Sequence, residues 1–422
     1  MINITNTTSL PVFWVPQSDG FAIFLGFLAM VAWGSWANLL KLNQGSTRFE
    51  FFFLDYQAGA FAASLILTIL LGTGGFSQGL TFGRVLAAII AGIVNTLGTL
   101  LVMASVELSG MTVVFPVVVG IEMTIGTTLL WLIEQKENPY LLFTGVLCAM
   151  CAVVLDYKSH AEPRDNDDGL GGTTRRGSET SLSYTTLMVT EKDFSTDISE
   201  LSRPYTFSSS LDNNARHTSG TNNGKIPCMS FMDEWESKSR GLFLCVLAAM
   251  FFSLWPVLDA LSTEGCVNDV HASPYTFFVL FRLAALLFTW SITNCMSGLN
   301  PNDGNDNNDG RTKLQVTFSN YISEIPMKSR VLGLCAGFIW GCGTLCSLVS
   351  GEVVGLSVSV TMTRCSPLVA TFWGVILWKE TIDMNQKGKM YLMGMVVMYC
   401  LAIAFVAGSA PSDDVPDGST NC

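Results

Sequence analysis

Three ionisable residues stand inside long apolar runs: Glu122 in VVFPVVVGIEMTIGTTLLWLI, Arg282 in YTFFVLFRLAALLFTW and Arg364 in LSVSVTMTRCSPLVATFWG. At the centre of a membrane helix such a charge costs about 2.5–3.5 kcal/mol on insertion scales, so it must face a cavity or a partner. Glu122 can take up and release a proton, and an arginine can offer its planar fork to a carbonyl or carboxylate. Two readings of Glu122 and Arg364 stand side by side. In one they are an ion pair that only joins two helices. In the other, one or both line a solute cavity, with Glu122 as the site of a coupling proton. Trp36, Asn38, Asn95 and Trp255 could stack on and hydrogen-bond a flat heterocycle, or serve as packing residues and interfacial anchors. Asp55 and Asp259 fall near the ends of their apolar runs, where water is expected to reach them.

The runs themselves are membrane helices by length and composition. Of the 422 residues 49% are hydrophobic and only 14% charged, and nearly uncharged windows of 18 or more residues recur along the chain. Ten spans are expected, at 21–40, 50–72, 84–106, 111–133, 139–157, 241–262, 274–294, 331–350, 355–378 and 389–408. At about 1.5 Å per residue, Glu122 lies about 16 Å from the inner end of its span and Arg364 about 12 Å from the outer end of its own. Arg282 is placed like Arg364, so in a core of about 30 Å all three share one depth. With the N-terminus outside, 19 of the 23 Lys and Arg residues fall in the cytoplasmic loops, as the positive-inside rule requires. Both termini are then outside or lumenal.

The expected domain organisation is an outer tail at 1–20, a first five-helix repeat at 21–158, a disordered cytoplasmic loop at 159–240, a second five-helix repeat at 241–408 with a polar insert at 296–330, and an acidic outer tail at 409–422. The first tail has the composition of no cleavable signal peptide and carries two glycosylation sequons, at Asn3 and Asn6. The central loop holds RRGS, whose Ser178 suits a basophilic kinase, and YTTL at Tyr184–Leu187, which suits a sorting receptor. Its Gly220–Lys225 string is one residue short of a phosphate-binding loop. In the second insert Asp303, Asn305, Asn307 and Asp309 alternate without the glycine and terminal glutamate of a calcium loop. Most of the 12 cysteines lie in spans and read as packing residues, Cys148 and Cys151 included. No metal, cofactor or nucleic-acid partner is implied, and no nucleophile constellation points to an enzyme.

A shift of 245 residues lays AGIVNTLGTLLVMASVELSGMTV over AGFIWGCGTLCSLVSGEVVGLSV, superimposing Gly92 on Gly337, Gly98-Thr99-Leu100 on Gly343-Thr344-Leu345, and Glu107 on Glu352. SWANLLKL at Ser35 and SLWPVLDAL at Ser253 extend the match more loosely. Five spans per half force opposite orientations, so the fold class expected is an all-α polytopic membrane protein of ten transmembrane helices in two inverted five-helix repeats. Such repeats belong to alternating-access carriers with a midplane solute site.

The segments VAWGSWANLLKL, FFFLDYQAGAFAASLIL, GIEMTIGTTLLWLIEQKENPYLLFTGVLCAMCAVVL and SPLVATFWGVILWKE resemble the drug/metabolite transporter superfamily. Within it they resemble the ureide permeases, through Gly34–Trp36, Asp55-Tyr56, Gly126–Leu129 and Pro367–Gly374. The resemblance implies a ten-span carrier that takes up allantoin, uracil and related oxo-heterocycles with protons. Glu122 and Arg364 depart from the pattern it implies. The function expected is therefore secondary transport of a small polar solute, most readily a nitrogenous oxo-heterocycle. A sugar or nucleotide-sugar carrier of the same superfamily is the nearest alternative. A magnesium pathway lined by Glu122, Glu107 and Glu352 is a further one, opposed by the fixed positive charge of Arg282 and Arg364. The expected partners are the solute, protons, the lipid bilayer and, as one option, a second copy of the chain. The plasma membrane is favoured over an endomembrane.

Overall fold

The computed structural model describes residues 13–43, 49–72, 80–109, 111–162, 227–263, 273–298, 321, 323, 325–379, 381–382 and 384–411. Asn3, Asn6, Ser178, Tyr184, the Gly220–Lys225 string and the alternating Asp/Asn insert all lie outside the described residues. Among the described residues the structure is helical: α1 (Asp19–Ser35), α2 (Ala37–Leu42), α3 (Phe49–Leu71), α4 (Phe82–Ser109), α5 (Met111–Glu134), α6 (Pro139–Ala161), α7 (Pro227–Thr263), α8 (Pro274–Gly298), α9 (Met327–Val354), α10 (Leu356–Thr363), α11 (Pro367–Ile376) and α12 (Gln386–Ala407).

Nine stretches among the described residues are long and apolar enough to cross a membrane, α1 and α2 together making one of them. The span expected at 355–378 has a different form. There the chain makes two short helices, α10 of eight residues and α11 of ten. At about 1.5 Å per residue neither reaches across a core of about 30 Å. The interruption is Arg364-Cys365-Ser366, and Pro367, which cannot donate to the preceding turn, opens α11 at its first position. Pro256, by contrast, sits inside the unbroken α7. Polar caps mark several starts: Asn138 accepts from Tyr140 N at 3.1 Å, and Asn385 from Gly388 N at 2.7 Å.

Large apolar side chains cover the outside. Phe82 and Tyr140 are 84% and 85% exposed, and Leu70 67%, a surface that suits hydrocarbon rather than water. Small residues let the helices approach inside. A Cβ on Gly92 would run into the α8 backbone at Phe281 O and Ala285 N, and one on Gly337 into the α3 backbone at Tyr56 O and Ala60 N. α4 therefore packs on α7 and α8, α9 packs on α1 and α3, and α6 packs on α12. Exchanging the two halves of the chain turns this set of pairings into itself.

Candidate functional site

Arg282 sits in mid-α8 and is 1% exposed. Its Nη1 donates to Gln57 Oε1 on α3 and its Nη2 to Asn95 Oδ1 on α4, both at 3.2 Å. The guanidinium carbon lies 4.0 Å from the Phe281 ring centroid and 4.2 Å from that of Trp340. Among the described residues no carboxylate pairs with it, and its Nε is buried without a hydrogen-bond partner. Two neutral amides and two ring faces thus stand where a counter-ion would be expected. A desolvated cation–π contact is worth about 2 kcal/mol, which offsets part of the cost of the charge but leaves a donor spare.

Rings extend from this arginine. Trp340 stacks on Trp33 with centroids 5.3 Å apart and planes at 16°, and Trp33 Nε1 donates to Thr344 Oγ1 at 3.2 Å. Trp255 lies 6.4 Å from Trp33 and stacks on Phe281 at 5.4 Å, while Tyr56 lies 6.1 Å from Trp340. Helices α1, α3, α7, α8 and α9 all contribute. Of the residues singled out from sequence, Arg282, Asn95 and Trp255 come together here. Trp36 reaches the edge, 5.1 Å from Tyr56.

The second polar centre joins α5 to the broken span. Arg364 Nε donates to Glu122 Oε1 at 3.1 Å, and Nη1 to the Glu122 main-chain oxygen at 3.2 Å. Arg364 is 2% exposed and Glu122 12%, and Arg364 Nη2 is buried without a partner. The guanidinium fits because position 126 is glycine: a Cβ there would stand 2.5 Å from Nη1. One turn away Thr127 and Thr361 share a hydroxyl hydrogen bond of 2.6 Å. The pair expected between Glu122 and Arg364 is therefore present. Arg282 takes a different set of partners, and no hydrogen bond among the described residues links the two centres.

Asn38 belongs to neither centre. Its Oδ1 accepts from Trp378 Nε1 at 2.8 Å and its Nδ2 donates to Ser35 O at 3.0 Å, so its amide is taken up in packing. Asp55 and Asp259 are not wet: they are 5% and 2% exposed, and Asp55 lies against Tyr321 and against Gly333 of α9. Asp55 accepts from the Tyr321 hydroxyl, and its other oxygen is buried without a partner. Gln57, Trp33, Tyr56, Phe281 and Trp340 were not legible as site residues. Gln57 alone gave a signal, as an amide inside an apolar run next to Asp55-Tyr56.

A model of the ureide permease family, described as "Ureide permease", matches residues 52–409. The chain belongs to the ureide permease family. It is 25% identical to Ureide permease 2 of Arabidopsis thaliana over 94% of this chain and 99% of that one. To Ureide permease 1 of the same plant it is 24% identical, over 93% and 98%. To the Probable ureide permease A3 of Vigna unguiculata it is 25% identical, over 88% and 98%. These relatives are permeases, which are transporters and not enzymes, and with the nine apolar stretches they make this a multi-pass membrane transporter. A solved structure described as "Crystal structure of protein" overlays with a TM-score of 0.53 at 11% identity, covering 92% of this chain and 98% of that one. That likeness is one of fold.

Proposed function

We propose that this permease is a secondary active, proton-coupled transporter of a planar ureide-type solute such as allantoin or uracil. The solute is held between the two five-helix halves by the Arg282 centre. The observation that carries this reading is the buried arginine with no acidic partner among the described residues, flanked by two amides and a set of rings. Such a site offers N–H donors to a ring carbonyl, amide groups to ring N–H and C=O, and flat faces for stacking. A divalent cation is served badly by it, since the charge at its centre is positive.

Several features support two inverted repeats with alternating access. The helix pairings map onto themselves when the halves are exchanged, and the repeat-related Gly92 and Gly337 make the same kind of close backbone contact. α10 and α11 together make the tenth crossing, and a span broken at mid-depth is a recurrent way for carriers to form a midplane site. In this reading both termini are outside, α5 ends at the outer face, and the domain boundaries are those read from the sequence. Glu122, 12% exposed and bonded to Arg364, takes the coupling proton. Arg364 Nε is then released from the carboxylate and can donate alongside Nη2, which has no partner to begin with. The sequons at Asn3 and Asn6 carry glycans, Ser178 is a kinase site, and the plasma membrane is the site of action.

The test is uptake of radiolabelled allantoin and uracil by cells expressing the protein, in mildly acidic and mildly alkaline medium, beside the Glu122→Gln and Arg282→Gln variants. Uptake that is faster in acid, loses that dependence in Glu122→Gln and is abolished in Arg282→Gln is the expected result. Surface-expressed protein that takes up neither solute refutes the reading and turns the search to sugars and nucleotide sugars.

A further inference from the structure

α10 is eight residues long, too short to hold its place by its own hydrogen bonds. It is held from two sides, by Ser347 of α9, whose main-chain oxygen accepts from Ser359 Oγ at 2.7 Å and whose Oγ accepts from Thr363 Oγ1 at 3.1 Å, and by residues 122–137. At its first turn Glu134 receives Leu356 N on Oε1 at 3.0 Å and Ser357 N on Oε2 at 3.2 Å. These amides have no partner within the helix and carry its positive end, so a carboxylate that takes two of them grips strongly. The Ser357 hydroxyl donates to Glu137 Oε1. At the last turn, Thr361 meets Thr127 and Arg364 meets Glu122. α11, beyond the break, is tied elsewhere: Trp373 Nε1 donates to Ser35 Oγ at 2.9 Å, Trp378 Nε1 to Asn38 Oδ1, and Lys41 Nζ lies 4.3 Å from the Trp378 ring centroid. By their hydrogen bonds the two halves of one span are thus anchored differently, α10 to residues 122–137 and to α9, α11 and Trp378 to α1 and α2.

Both ends of α10 are built to bend. Gly355, at φ 91°, precedes it, and a side chain there would be strained and would run into the Glu137 carboxylate. Arg364-Cys365-Ser366 follows it without continuing the helix. Glu137 is 4% exposed, yet its Oε2 has no hydrogen-bond partner. An unmet carboxylate oxygen keeps the closed arrangement from being deeply favoured.

We propose that Glu134 and Glu137 are positioning residues of the transport cycle. They clamp α10 so that Arg364 reaches Glu122, and release of the clamp, with α10 swinging about Gly355 and the Arg364–Ser366 break, opens the solute path at that face. The proposal rests on the transporter reading above and adds to it the moving part. A static strut is the alternative.

Two experiments decide it. In the first, a Glu134→Cys/Ser357→Cys double variant is bridged with a short bifunctional thiol reagent, each single variant serving as control, and bridging is verified by mass spectrometry. Uptake of labelled allantoin should be lost on bridging and return when a cleavable bridge is reduced, while the reagent leaves each single variant at its own untreated rate. Bridged protein that transports at the unbridged rate overturns the proposal. The second needs no transport. Ser357 is fully buried, so in a Ser357→Cys variant an impermeant thiol reagent labels position 357 only when α10 lifts. Adding Glu134→Ala should raise the labelling rate at least about tenfold, the effect of removing 1.4 kcal/mol of clamp. An unchanged rate overturns the proposal. A wild type that takes up neither ureide would sink the transport reading alone, since labelling at Ser357→Cys still reads the clamp.

Discussion

Removing Glu122 and Arg364 singly and together separates an ion pair that holds helices from one that serves transport. Glu122→Leu leaves the guanidinium 2% exposed, with only the main-chain oxygen of residue 122, at 3.2 Å, to accept a hydrogen bond from it. An uncompensated buried charge of this kind costs about 3–5 kcal/mol. Arg364→Met leaves a carboxylate that is 12% exposed and can neutralise by taking a proton, so its cost is nearer to about 1–3 kcal/mol. The Glu122→Leu/Arg364→Met double variant replaces the pair with apolar groups, a change that is often neutral. The singles then sum to about 4–8 kcal/mol and the double to about zero, a coupling of several kcal/mol. Thermal unfolding of the purified proteins in one detergent reads the order, and ureide uptake is measured on the same set. We expect stability to recover in the double variant while uptake stays absent. A double variant as unstable as Glu122→Leu would refute the pair. Recovery of uptake along with stability would refute its role in transport.

Other outcomes follow from single contacts. Arg282→Lys keeps the charge but cannot span Gln57 and Asn95 at once, so uptake should fall at least about tenfold with little loss of folded protein, one charged hydrogen bond being worth about 1.5–3 kcal/mol. Gly337→Ala and Gly92→Ala press a methyl into the backbones of α3 and α8 and should each cost about 1–3 kcal/mol. Gly20→Ala, with nothing within 4 Å of the added carbon, should show no loss in the same melting assay. Gly126→Ala displaces the Arg364 guanidinium and should depress uptake. Gly120→Ala, which meets only the flexible end of Met150 at 3.2 Å, should not.

Apolar runs, the repeated glycines and the charges inside spans were legible because each is a local feature with one physical meaning in a membrane. The break at Arg364–Ser366 was legible only in part: Pro367 marks a helix start, but a proline inside a span can also be carried without a break, as Pro256 is in α7. The aromatic cluster was not legible. Trp33, Tyr56 and Trp340 look like any tryptophan or tyrosine in an apolar run, and only the crossing of α1, α3 and α9 brings them together. The burial of Asp55 failed for a related reason. Its distance from the end of α3 says that water is near, whereas Tyr321 and the start of α9 cover it.

The Arg282 centre lies where the proposed repeats would meet, and its residues would be mates in them. The close contacts of Gly92 and Gly337 relate α4 to α9 by 245 residues, and the backbones they touch, Phe281–Ala285 and Tyr56–Ala60, relate α3 to α8 by 225. Those same shifts carry Gln57 onto Arg282 and Asn95 onto Trp340, and Gln57, Asn95 and Trp340 all touch the Arg282 guanidinium. Two-fold related positions that contact each other must do so near the axis. The unlike side chains there are what give the site one donor fork and one stacking face instead of two equal halves. A swap tests this directly. Gln57→Arg alone puts a second charge beside Arg282, and Arg282→Gln alone removes the only one, so both should lose uptake. Gln57→Arg/Arg282→Gln restores one guanidinium and one amide at the same meeting point, reached from α3 instead of α8. We expect the double swap to fold as well as the wild type and to regain part of the uptake lost in each single variant. A double swap no better than the worse single in both melting and uptake would mean that the two positions do not share an axis.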